Sequence, residues 1–212
     1  MSRTLQQTDI RRIRQMNIDT DHLHHWMQAI RQSNNPMRTM DAFWSGQLKS
    51  KEWLIDCLDD YVHMGSTVDI HGGWVGVLAS MMFQSNIPVT NIRSIDIDPY
   101  CEHVAIEMNR IEYNNNRFSA VTGNMLSVPS TADIIINTST EHITQDEYDV
   151  WLHGLPNSSL IVVQSNDYFD CEGHINCKHN LQEFIDRSNL TVKFAGELKL
   201  AKYTRFMVIG TK

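Results

Sequence analysis

The sequence predicts an α/β protein: a doubly wound, mostly parallel sheet, preceded by a helical extension and closed by a C-terminal antiparallel hairpin. Three observations predict it. From residue 67 onward, short apolar or β-branched runs alternate with helix-length stretches, the pattern of parallel strands joined by crossover helices. The runs at 191–200 and 203–210 are separated only by Ala201-Lys202, which leaves room for a hairpin and none for a crossover. Before residue 67 the apolar residues recur at helical spacing instead.

The elements follow in order. Leu23, Trp26, Met27 and Ile30 share one helix face after Asp21, and the pattern stops at Ser33-Asn34-Asn35-Pro36. Leu54, Ile55, Leu58, Tyr61 and Val62 repeat it, with Gly65 as a suitable stop. Residues 1–65 therefore read as a helical extension and 66–212 as the sheet domain. Strands are expected at 67–70, 92–97, 118–122, 134–137 and 160–164, with helices at 75–83, 100–112, 145–153 and 180–187. The third of these helices opens on Thr144-Gln145-Asp146-Glu147, a capping box in which hydroxyl and carboxylate satisfy each other's backbone N–H groups. With the hairpin, the count reaches seven strands.

Composition bounds the function. The 212 residues are 42% hydrophobic and 20% charged, as in a water-soluble globular chain long enough to bury a core. No run approaches the roughly 18 apolar residues of a membrane span, and Met1 to Arg14 lacks the apolar centre of a secretory signal. Cys57, Cys101, Cys171 and Cys177 form no CxxC pair and suit a reducing cytoplasm. A net charge of −7 argues against a broad phosphate-binding surface. Residues 1–40 run the other way, with six Arg against three Asp; a solvated helical face accounts for this more simply than an anionic partner.

The chemistry concentrates at residues 67–76, Thr-Val-Asp-Ile-His-Gly-Gly-Trp-Val-Gly, with Asp96 lying 20 residues beyond the last glycine. An apolar strand, a glycine turn, a helix and an acid at that distance make a nucleoside-binding βαβ unit. Glycines let backbone approach a ligand where a Cβ would clash. The acid can accept two hydrogen bonds from ribose hydroxyls. In a plainer reading, the glycines only make a tight turn and Asp96 caps the next helix.

From Asp69 onward the pattern resembles the class I S-adenosylmethionine-dependent methyltransferases, over about residues 65 to 212. The resemblance implies a Rossmann-like seven-stranded sheet with an antiparallel last strand and S-adenosyl-L-methionine as cofactor. It places Asp69, Gly72, Gly73 and Gly76 in the loop after the first strand. It also places Asp96 and Ile97 at the ribose, Asn124 and Met125 near the adenine, and Asn137 and Thr138 at the end of the fourth strand, facing the sulfonium. The family's glycines stand two, four and six residues after the acid, where this chain has His71, Gly73 and Val75. His71 and Trp74 therefore become candidate cofactor contacts. More closely, Gly-Gly-Trp-Val-Gly, Asn-Thr-Ser-Thr-Glu-His and the terminal Arg-Phe-Met-Val-Ile-Gly resemble a small group of methyltransferase-like proteins of tailed phages. The competing dinucleotide fingerprint, G-x-G-x-x-G, is absent.

Acceptor chemistry is expected in the loops after the fourth and fifth strands. There Glu141, His142 and His174 are the candidate catalytic residues, because imidazole titrates near neutrality and a carboxylate can orient it. With Cys177 they are also conceivable metal ligands, but their spacing fits no compact signature and no metal is expected. Arg205 is either a carboxylate- or phosphate-binding residue or an ordinary strand charge. Tyr168 and Phe169 either line the acceptor site or pack locally. His22, His24 and His25 read as the wet flank of a helix. Asn137-Thr138-Ser139-Thr140 lacks the prolines and aromatic ring that hold a flipped base, and there is no Pro-Cys nucleophile. The expectation is methyl transfer to a small acceptor, with duplex nucleic acid disfavoured. The alternatives are a non-catalytic binding module and transfer of the cofactor's aminocarboxypropyl chain.

Overall fold

The computed structural model describes residues 19–212; the reading of Met1 to Arg14 and the start of the basic segment lie outside them. The elements are α1 (Thr20–Gln32), α2 (Pro36–Asp41), α3 (Ser45–Leu58), β1 (Ser66–His71), α4 (Val77–Gln84), β2 (Val89–Asp96), α5 (Pro99–Met108) and α6 (Arg110–Asn114). They continue with β3 (Phe118–Thr122), β4 (Ile134–Asn137), α7 (Gln145–Gly154), β5 (Leu160–Asn166), α8 (Leu181–Ser188), β6 (Thr191–Lys199) and β7 (Thr204–Thr211).

One sheet of seven strands runs in the order β3-β2-β1-β4-β5-β7-β6. Strands β1 to β5 are parallel. β7 inserts antiparallel between β5 and β6, so the hairpin closes the sheet as expected. The chain leaves β1 toward β2 on one side and returns to β4 on the other. That reversal opens a crevice at the carboxyl ends of β1 and β4, where open α/β sheets bind ligands.

Successive strand residues point to opposite faces, and the core divides accordingly. Val68, Ile70, Ile92, Ile134, Ile136, Met207 and Ile209 pack with α3, α4 and α5. Ile135, Ile161, Val163, Phe206 and Val208 pack with Tyr148, Trp151 and Leu152 of α7 and Phe184 of α8. Ala29 of α1 and Leu54, Ile55 and Leu58 of α3 belong to the first of these clusters, so the N-terminal helices are built onto the sheet's own core.

Local chemistry sets the ends. The capping box of α7 is formed, with Thr144 Oγ1 accepting from the Glu147 N–H and Glu147 Oε2 accepting from the Thr144 N–H. Asp98, rather than the Asp96 of the plainer reading, caps α5 ahead of Pro99, whose missing N–H is no loss at the first helical position. Two further expectations need correction. Residues 100–112 are two helices, broken at Asn109, whose side-chain amide is drawn to the carbonyls of Gly76 and Ala105. Gly65 does not stop the second N-terminal helix, which ends at Leu58 and passes through a 3-10 turn. At φ +91° Gly65 instead makes the turn into β1, donating to the Pro88 carbonyl. Pro36 not only ends the first helical pattern but starts α2, capped by Asn35.

Candidate active site

A cleft of about 1070 Å³ lies at the carboxyl ends of the parallel strands. Of the residues expected there, Gly72, Gly73, Trp74, Asp96, Ile97, Asn124, Met125, Asn137, Thr138, Glu141, His142 and His174 all line it. Asp69, His71 and Gly76 do not.

The loop after β1 shows what each glycine does. Gly72 sits at φ +66°, a left-handed conformation that disfavours any Cβ. A Cβ on Gly73 would fall 2.0 Å from Ser94 Oγ and 3.3 Å from the Ile70 carbonyl, so β1 and β2 require glycine there. Gly76 lets α4 approach α5, since its Cβ would meet Asn109 Nδ2 at 2.7 Å and Ala105 Cα at 3.1 Å. Trp74 adopts φ +48° without being glycine, and its N–H donates to Asp96 Oδ2 at 2.8 Å. Asp96 Oδ1 accepts from the Asp98 N–H at 3.0 Å. The half-buried carboxylate is thus gripped by two backbone donors, and each oxygen keeps a lone pair for a ligand hydroxyl. Beside it, Ile97 is 68% exposed, an apolar surface left open in the cleft.

Asp69 is spoken for. Its neighbour in register across β1 and β2 is Arg93, which donates from Nε at 2.9 Å and from Nη2 at 2.5 Å, while Ser130 Oγ donates to the same carboxylate. The acid therefore ties β1 to β2 and to the segment before β4 rather than touching a ligand. His71 faces the opposite side of the sheet, fully buried, with Nδ1 accepting from Trp151 Nε1 at 2.7 Å. Burial pushes its pKa down to about 4, so the ring is neutral. Strand alternation within β1 explains the miss: Ile70 lines the cleft, whereas its neighbours Asp69 and His71 point to the other face.

At the other end of the cleft, the turn after β4 carries Glu141, 2% exposed, whose Oε1 accepts from Arg205 Nη1 and from Asn166 Nδ2, each at 2.7 Å. Its Oε2 is buried without a hydrogen-bond partner. Arg205 comes from β7, and burial opposes its charge while the Glu141 carboxylate restores it, leaving the guanidinium more firmly protonated than usual. His142 is exposed, and His174 half-buried, with ring centroids 4.7 Å apart at 84°. Burial lowers the His174 pKa, against the raising influence of Glu141. Cys177 is buried, its thiol donating to Asn166 Oδ1 at 3.3 Å and lying 3.6 Å from His174 Nδ1.

Lys51 of α3 was not anticipated. It is buried, donates to Gln47 Oε1 at 2.7 Å and lines the cleft. Burial first, then the Arg205 charge, bring its pKa down to about 7. A signal existed in the sequence, because Lys51 stands on the helical stripe of Leu54, Ile55 and Leu58, where a lysine has no reason to sit unless its amine is used. Arg205, a charge opening the apolar run Phe206-Met207-Val208-Ile209, carries the same kind of signal. Tyr168 and Phe169 pack locally, stacked on Tyr203 and His179 respectively, away from the cleft.

No family model and no curated protein matches the chain. Among solved structures it is similar to the N-methyltransferase NodS from Bradyrhizobium japonicum in complex with S-adenosyl-L-homocysteine. The identity is 13% and the TM-score 0.64, over 90% of this chain and 98% of that one. It is also similar to magnesium protoporphyrin IX methyltransferase (ChlM) from Synechocystis with bound SAH, at 12% identity and TM-score 0.63, over 91% and 94% of the two chains. The small RNA methyltransferase HEN1 matches at 15% identity and TM-score 0.63, over 81% of this chain and 26% of that one. The chain therefore has the Rossmann-like methyltransferase fold, with its antiparallel C-terminal strands and a helical N-terminal region.

Proposed function

We propose that this protein is an S-adenosyl-L-methionine-dependent methyltransferase acting on a small acceptor in the cytoplasm. The observation that carries the reading is one continuous cleft with the glycine loop and Asp96 at one end and a polar, titratable cluster at the other. When bound, S-adenosylmethionine supplies an electrophilic methyl group on a positively charged sulfur.

The residues present fit that group. Asp96 offers a carboxylate already held by the Trp74 and Asp98 N–H groups, positioned to accept from two ribose hydroxyls. Gly72 and Gly73 put bare backbone against the ligand. Ile97 and Leu126, both exposed in the cleft, would flank the base, with Asn124 and Met125 at its edge. Asn137 and Thr138 end β4 between the two halves. Asp69, His71 and Gly76 hold this arrangement from behind.

On the acceptor side the chain's task is to align a nucleophile and exclude water. Arg38, Asp41, Gln47 and Lys51 of the N-terminal helical region line the cleft, and a roof of helices suits a small molecule better than a duplex. Glu141, His142 and His174 would contact the acceptor. Lys51, with a pKa near 7, is partly neutral at physiological pH and able to take a proton from it. Among the described residues no helix is long and apolar enough to cross a membrane. The sequence likeness to tailed-phage proteins belongs to this same reading.

Calorimetry with S-adenosylmethionine and with NAD tests it. Heat with the former only is expected, with affinity reduced at least tenfold in Asp96→Ala. Incubation with labelled cofactor and a small-molecule extract should then yield a labelled product and S-adenosylhomocysteine. Absence of heat with S-adenosylmethionine would overturn the reading, and binding without any product would make the protein a non-catalytic module.

A further inference from the structure

We propose that Glu141, His142 and His174 form a divalent-cation site at the acceptor end of the cleft, and that the acceptor binds to that cation through oxygen. His174 is distant in sequence from the adjacent Glu141 and His142, yet one ligand atom from each lies within 4.8 Å of the others. All three line the cleft.

The surroundings of each side chain prepare it to bind a metal. His142 Nδ1 lies 3.0 Å from the Gly173 carbonyl, and His174 Nδ1 lies 3.0 Å from the Tyr168 carbonyl. A carbonyl only accepts, so each ring places its hydrogen on Nδ1 and keeps a lone pair on Nε2. Anchoring one ring nitrogen to a carbonyl, so that the other faces the metal, is the usual support of metal-binding histidines. Glu141 is divided in the same way. Oε1 is held by Arg205 and Asn166, while Oε2, in a cleft-lining residue that is 2% exposed, has no hydrogen-bond partner. A buried carboxylate oxygen left unpaired is costly, and a cation removes that cost.

Two imidazoles and one carboxylate suit first-row divalent ions such as Mn²⁺, Co²⁺ or Zn²⁺ better than Ca²⁺. Three protein ligands leave coordination positions open to the cleft. Glu141 already balances Arg205, so the cation's charge calls for an anionic partner. The chemistry favours an acceptor that presents a hydroxyl beside a second oxygen, at least one of them ionised. The hydroxyl proton passes to water or to the Lys51 amine, and the oxygen keeps the electron pair. What the cation does for catalysis rests on the methyltransferase reading; its binding does not.

The test is titration of the metal-free protein with Mn²⁺, following the loss of the free-ion resonance by electron paramagnetic resonance. One equivalent should bind. His142→Ala and His174→Ala should each weaken binding at least tenfold while leaving the metal-free melting temperature nearly unchanged, and Cys171→Ser, in the same cleft, should leave binding as it is. Co²⁺ should give a visible spectrum that shifts when glycolate is added and responds far less to acetate. No loss of the Mn²⁺ signal, or equal binding by the double histidine variant, overturns the proposal. Calorimetry with S-adenosylmethionine on the same samples separates the two ideas. Cofactor binding without Mn²⁺ binding removes the metal site alone, whereas Mn²⁺ binding without cofactor binding removes the methyltransferase reading alone.

Discussion

At the end of the cleft proposed to hold the nucleoside, short loops after β1, β2 and β3 hold the shape, and backbone does much of the work: bare glycines, and the N–H groups of Trp74 and Asp98 on Asp96. At the acceptor end, side chains from α3, the turn after β4, the loop after β5 and β7 meet around a buried ion pair, Glu141–Arg205. The first end is a contiguous motif folded on itself. The second is an assembly of long-range contacts whose charges make sense only together. A backbone-built site tolerates changes of side chain but not of shape, and a charge-built site behaves the other way round.

The largest effect expected from that difference is at Glu141. Replacing it with alanine strands the buried Arg205 guanidinium and should cost about 3–5 kcal/mol of stability in urea unfolding. A Glu141→Met, Arg205→Met double variant should cost less than either single change, because no lone charge is left behind. A Glu141→Ala loss of below about 1 kcal/mol would mean the acceptor end is wetter than the structure shows.

Next comes His71, which lies behind the glycine loop. It is neutral when folded, with a pKa of about 4, whereas the unfolded ring titrates near 6.5. Between those values the unfolded chain binds the extra proton, so stability is full above pH 6.5 and is lost as pH falls toward 4. Up to about 3 kcal/mol is at stake. Melting temperatures across this window should fall steeply in the native protein and less in His71→Gln; parallel curves would show that other groups govern acid unfolding.

Shape is tested at Gly73. Gly73→Ala should destabilise the protein by about 1–3 kcal/mol through the clash with Ser94 Oγ. It should also weaken cofactor binding, with partial rescue by Ser94→Ala. A Gly73→Ala variant of unchanged stability and affinity would remove the case for a backbone-built site. The smallest structural effect belongs to exposed His142: alanine there should change stability by no more than about 0.5 kcal/mol while turnover falls far more than cofactor affinity. Equal losses in both would make its role structural.

The glycine-loop end of the cleft was legible because its signals are local. Gly72, Gly73, Trp74, Asp96 and Ile97 are read from one βαβ unit, and the cleft receives all of them. Asp69 and His71 show where that reading stops. Both belong to the motif by spacing, but the register with Arg93 and the packing against Trp151 turn them to other tasks. The helix break at Asn109 was similarly hidden, since it depends on a Gly76 carbonyl 33 residues away.

By itself, the sequence determined the order of the strands and most of the helices, the terminal hairpin and the place of the glycine turn, since periodicity, capping residues and loop lengths act over a few residues. Only the tertiary structure decided that Lys51 and Arg205 join Glu141, His142 and His174 in one cavity. Their meeting depends on how α3 docks and on β7 threading between β5 and β6. Burial, which strengthens every charge it surrounds, comes into being only once those distant segments have packed.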